Sequence, residues 1–368
     1  MDGFHSIGSK LDSIGVADVV WINDSLSDEW RGVYSEIKWI QVVTAILSVL
    51  GSGSIIGYAV FHSAVRSPEV RPLFYLSLSD LLLALCWLLG TVLYRRSVCS
   101  KNVACYNLQS VGQMFYLSTF FYTLNYMWQL CSSLKRKLEN DLHKISDLER
   151  CIGRIALILS SVVPAFLIIP VLYFGNSEQC YGNATHPHSC LVVNVGSSVT
   201  SDVHAYTNNT CKAIHFYITA VFLSTFFLTV ISILVLLGFV VSLLRKCKIA
   251  DEHRTVITVT KRAFLLYSAI FLFCSLPGVA LTLCKLVDQD GKSEDYRVLY
   301  FFQAFTSISQ GFLNCLAYGW THQMLRCLKQ NSFHDVETQT PLLRSQKRHY
   351  ASTQTSTFCT QPQNITVL

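Results

Sequence analysis

The sequence predicts an all-α integral membrane protein: a seven-transmembrane-helix bundle with a short amphipathic eighth helix. Three observations predict it. Charged residues make up only 14% of the 368, while apolar residues make up 51%. Soluble domains carry about 25% charged residues. The mean hydropathy is positive, at +0.38. The charges are also segregated, with long stretches free of them and short stretches dense in them. In lipid every backbone amide must bond within the protein, so the apolar stretches are helices. The net charge of +6 sits between apolar runs, which suits a bilayer surface better than nucleic acid.

The elements follow in order. Residues 1–37 hold no apolar core of roughly 7–15 residues, so no cleavable signal peptide is expected there. The segment is acidic (Asp2, Asp12, Asp18, Asp24, Asp28, Glu29, Glu36), which argues against mitochondrial import. It is expected to be extracellular, with the first apolar run acting as an uncleaved anchor. A spanning helix needs about 20 apolar residues. Seven runs meet this: Lys38–His62, Arg71–Tyr94, Cys105–Leu134, Cys151–Phe174, Ala213–Leu244, Ala263–Leu286 and Val298–Gly319. The third holds Gln109, Gln113, Asn125 and Gln129, so it is expected at the bundle centre with little lipid contact. Beyond the bundle (38–319), residues 320–330 place Trp320, Met324, Leu325 and Leu328 at helical spacing. That pattern predicts a short helix lying on the inner membrane surface. Residues 331–368 are rich in Ser, Thr and Gln and read as a disordered cytoplasmic tail.

Orientation follows from basic residues in the connections. With the N-terminus outside and the C-terminus in the cytosol, the cytosolic segments hold two, six, six and five Lys or Arg, 19 of the 29. Sequons at Asn23, Asn183 and Asn208 then lie outside as glycosylation candidates, and the one at Asn364 lies inside. Cys99, Cys105, Cys180, Cys190 and Cys211 lie on the oxidising side, where two disulfides can form and one thiol is left over. The expected location is the plasma membrane.

Asp80 is the only Asp or Glu within the seven runs. A carboxylate in the bilayer is costly and marks either function or a structural hydrogen bond between helices. Pro277 lies mid-span in Phe271-Leu272-Phe273-Cys274-Ser275-Leu276-Pro277. It removes a backbone bond and makes either a hinge or a static kink. Asn314 and Tyr318 close the last span, and Cys327 beyond them reads as a palmitoylation candidate or a plain thiol.

Together these motifs resemble the G-protein-coupled receptor superfamily over roughly residues 38–330. Leu78-Ser79-Asp80-Leu81 is similar to the rhodopsin-like helix-two motif. Phe271, Cys274 and Pro277 match the helix-six hinge motif, and Asn314 and Tyr318 match Asn-Pro-X-X-Tyr. Cys105 matches the cysteine that opens helix three, and the resemblance implies a disulfide to Cys190 or Cys180, with Cys190 preferred. It also implies a polar switch network of Ser54, Asp80, Thr119, Gln310, Asn314 and Tyr318 near the bundle centre, filled by sodium or by water. The departures are specific. The helix-six Trp is Ser275, the helix-seven Pro is Cys315, and the helix-one Asn is replaced by Ser54. Helix three ends in Trp128-Gln129-Leu130-Cys131 without Asp/Glu-Arg-Tyr. The Gly-Ser start of helix one and the missing arginine are more similar to the cyclic-AMP-receptor-like branch and its orphan relatives. Gly112 stands where amine receptors carry Asp, so an amine ligand is disfavoured.

The resemblance implies an orphan receptor, not an enzyme, that passes a ligand's signal to a heterotrimeric G protein through helix rearrangement. The partner-facing basic residues would be Lys135, Arg136, Lys137, Arg245 and Lys246. The competing reading is a receptor-shaped scaffold or trafficking partner that does not signal. A transporter is disfavoured by the lack of repeats. A seven-helix zinc hydrolase would need several His, an Asp and a Ser, and an intramembrane aspartyl protease two Asp, whereas the spans offer only His62, His215 and Asp80; a retinal protein would need a Lys in the last span, and residues 298–319 hold none. No cofactor or metal is expected, and the ligand is not specified by sequence.

Overall fold

A computed structural model describes residues 5–62, 70–94, 101–138, 143–180, 209–246, 251–287 and 297–338. Each segment is one long helix. In chain order they are α1 (His5–Phe61), α2 (Arg71–Tyr94), α3 (Lys101–Leu138), α4 (His143–Ser177), α5 (Asn209–Lys246), α6 (Asp251–Val287) and α7 (Arg297–Thr338). Five contain a stretch long and apolar enough to cross a membrane: Ser35–Phe61, Arg71–Leu93, Cys151–Ser177, Asn209–Arg245 and Thr258–Val287. The protein is therefore an all-helical, multi-pass integral membrane protein.

α1 shows how this chain uses lipid as solvent. Its buried face carries Gln41, Thr44, Ser48 and Ser52, spaced three or four residues apart. Its exposed face carries Trp39, Val43, Ile46, Leu47 and Leu50. This inverts the amphipathic pattern of a water-soluble helix. It is stable only where the surroundings are hydrocarbon.

α3 falls short of spanning apolarity for a related reason. Of the described α3 side chains only Val103, Ala104 and Trp128 are exposed. A helix surrounded by other helices needs no lipid-facing stripe, and its polar residues can bond to neighbours. α3 packs against α2, α4, α5 and α6, while α7 packs against α1, α2 and α6. An aromatic column fills the space between α3, α5 and α6. The Phe120 ring lies 5.1 Å from Phe271 and 6.2 Å from Phe222, and Phe226 stacks on Phe271 at 6.0 Å.

α4 holds two internal prolines, Pro164 and Pro170. Each lacks an N–H and leaves a carbonyl of the preceding turn short of a donor. Tyrosines from the flanking helices tie this helix in place. Tyr217 donates to the Leu167 carbonyl at 3.1 Å, and Tyr106 donates to the Val171 carbonyl at 2.8 Å. Gly175 makes the second contact possible, since a Cβ there would lie 1.8 Å from the Tyr106 hydroxyl. The α4 end closes with Cys180 N–H donating to the Gly175 carbonyl at 3.0 Å and Gln179 N–H donating to the Asn176 carbonyl at 3.4 Å. This pairing is a Schellman cap, and Gln179 occupies its left-handed position at φ 50°. The cap aims Cys180 at Cys211 on α5, to which it is disulfide-bonded.

Two expectations change. The helices outrun the apolar runs at most ends, because an apolar run reports the hydrocarbon thickness and not the helix length. α1 is the extreme case. Its 57 residues reach about 85 Å at roughly 1.5 Å per residue. The helix begins at His5, inside the segment assigned to the exterior, and no proline precedes Pro68 to stop it. The separate eighth helix is also absent among the described residues. α7 continues unbroken through 320–330 and through 331–338, the first part of the expected tail. No proline interrupts it, since Cys315 stands at the expected place. Thr321 also donates across the junction to the Ala317 and Tyr318 carbonyls at 2.8 and 3.0 Å.

Candidate functional site

The buried polar groups gather where α1, α2 and α7 meet. Asn314 Nδ2 donates to Asp80 Oδ2 at 2.8 Å, a buried bond between α7 and α2. The other carboxylate oxygen, Oδ1, is buried without a partner, as are Ser48 Oγ, Ser52 Oγ and Gln310 Oε1. Gly311 brings these groups close. A Cβ on it would lie 2.2 Å from Ser52 Oγ, 2.5 Å from Ser48 Oγ and 3.2 Å from Asp80 Cβ. Directly opposite, Gly51 does the same for the backbones, where a Cβ would stand 2.7 Å from Phe312 Cα and 3.0 Å from the Gly311 carbonyl. The small residues thus let α1 and α7 touch backbone to backbone, a device suited to helices in lipid.

The predicted network is assembled only in part. Asp80 and Asn314 meet. Gln310 is buried beside them in sequence. Thr119 is buried, but its hydroxyl donates to the Tyr116 carbonyl of its own helix at 2.8 Å. Ser54 does not belong. It is exposed, and its hydroxyl donates to the Leu50 carbonyl at 2.7 Å. Two residues are about 200° of helical rotation at 3.6 residues per turn, so Ser52 faces inward and Ser54 faces lipid. Ser48 and Ser52 are the site residues that the motif comparison missed. Their four-residue spacing, in line with Thr44, was the available signal.

Tyr318 lies midway along α7 in an aromatic group with Tyr58, His62 and His322. Its ring lies 5.7 Å from Tyr58 and stacks on His322 at 5.8 Å. The Tyr58 hydroxyl and His322 Nε2 are 3.3 Å apart, joining the C-terminal end of α1 to the middle of α7. Phe271 and Cys274 of the predicted hinge are buried, with Cys274 Sγ 3.9 Å from Ser309 Oγ. α6 runs through Pro277 without ending.

Cys105 is disulfide-bonded. The preferred partner Cys190 lies outside the described residues, and the alternative Cys180 is taken by Cys211. The sequons at Asn183 and Asn208 also lie outside them, as do the side chains of Asn23 and Cys327. Of the basic residues, Arg245 is exposed and Arg136 donates to Ser133 Oγ at 3.1 Å. Lys135 is half-buried, and the side chains of Lys137 and Lys246 lie outside the described residues. Among the described residues no three His, Cys, Asp or Glu side chains converge.

The family model for transmembrane protein 116 matches residues 34–352. The chain belongs to the transmembrane protein 116 family. The matched region begins near the first spanning stretch of α1, contains all of α2 to α7, and includes every member of the buried layer. The long N-terminal part of α1 lies outside it.

Proposed function

We propose that this protein is a seven-crossing membrane receptor with its N-terminus outside and its C-terminus in the cytosol. It would act at the plasma membrane, turning an extracellular or intramembrane ligand into a rearrangement that a heterotrimeric G protein reads. The observation that carries this reading is the Asn314–Asp80 bond within a layer of buried, unpartnered polar atoms. A buried polar layer that is only partly satisfied is costly, so a rearrangement that pairs its free groups would be favoured. In this reading the layer has two arrangements, and ligand or partner biases the balance between them. The central placement of α3 and the exposed apolar residues Val298, Phe302, Phe305 and Leu316 of α7 support counting them as the two further crossings. The distribution of basic residues supports the orientation.

A second reading has its own observation. α7 is unbroken, and Gly51 locks its backbone to α1. Helices joined that tightly favour a rigid scaffold or trafficking partner over a switch.

The test is proximity recruitment of a panel of G-protein α subunits in living cells, with surface expression measured in parallel. The control combines Asn314→Ala with neutralised Lys135, Arg136 and Lys137. Recruitment that the control abolishes at equal surface expression supports the receptor. Recruitment unchanged by the control, or none from a well-expressed surface protein across a ligand panel, favours the scaffold.

A further inference from the structure

We draw no further inference here: the strongest candidate, the open groove along the C-terminal end of α4 lined by Ile169, Leu172, Tyr173, Asn176 and Ser177, is one face of a single helix, and nothing in the structure shows what covers it.

Discussion

Gly51→Ala against Gly53→Ala isolates the contact that joins α1 to α7. The two glycines lie in the same helical turn but face opposite ways. A Cβ on Gly51 would stand 2.7 Å from Phe312 Cα and 3.0 Å from the Gly311 carbonyl, while one on Gly53 would meet nothing within 4 Å. Carbon pairs sit best at about 3.5–4.0 Å, so α1 and α7 must part by about 1 Å to admit the new methyl. The obstacles are backbone atoms and cannot rotate away. Overpacking of this kind costs about 1–3 kcal/mol. Both variants also gain about 1 kcal/mol of helix propensity, and that gain cancels in the comparison. Gly51→Ala should therefore be less stable than Gly53→Ala by about 1–3 kcal/mol. Reversible unfolding in bicelles, followed by circular dichroism and by burial of a native thiol, measures the difference. Equal stabilities, or a more stable Gly51→Ala, would refute the close backbone packing and the rigid link built on it.

Three further outcomes are expected. Asn314→Ala leaves Asp80 Oδ2 without its donor and should destabilise the bundle by about 1–3 kcal/mol, whereas Asp80→Asn keeps an acceptor for Asn314. Asp80→Asn should then change signalling output more than surface expression, and equal loss of both would assign Asp80 a structural role only. The Cys180–Cys211 bridge closes a loop with a sequence separation of 31. Cys211→Ser should cost about 3–4 kcal/mol, read as a lowered melting temperature, with non-reducing peptide mapping confirming the pair in the parent. Gln179→Gly relieves the left-handed strain at φ 50°. It should stabilise the α4 cap by about 0.5–1 kcal/mol, and a drop in melting temperature would show that the Gln179 side chain holds the cap.

Much of the architecture was legible because the bilayer writes it directly. α2 begins and ends where its apolar run does, at Arg71 and Tyr94. The central position of α3 was readable from Gln113 and Asn125, which are affordable only away from lipid and are buried. Helix ends were less legible. Polar residues such as those of His5–Tyr34 neither require nor forbid helix, and only prolines and glycines mark stops. The eighth helix was expected from a break that this chain lacks. Within the site, Asp80 stood out as the only carboxylate in seven apolar runs. Its partners were harder to find, because which serine of Ser48, Ser52 and Ser54 faces inward depends on the rotation of α1, and a local motif match misplaced it by two residues.

The central claim is that the Asp80–Asn314 layer sets a two-state equilibrium of the bundle. The most direct measurement places a pair of spin labels, through non-canonical amino acids, at positions 135 on α3 and 261 on α6, and records their distance distribution in nanodiscs. Two distance populations whose ratio shifts between wild type and Asp80→Asn are the predicted result. A single distance, unchanged by Asp80→Asn in a protein that remains folded, would contradict it.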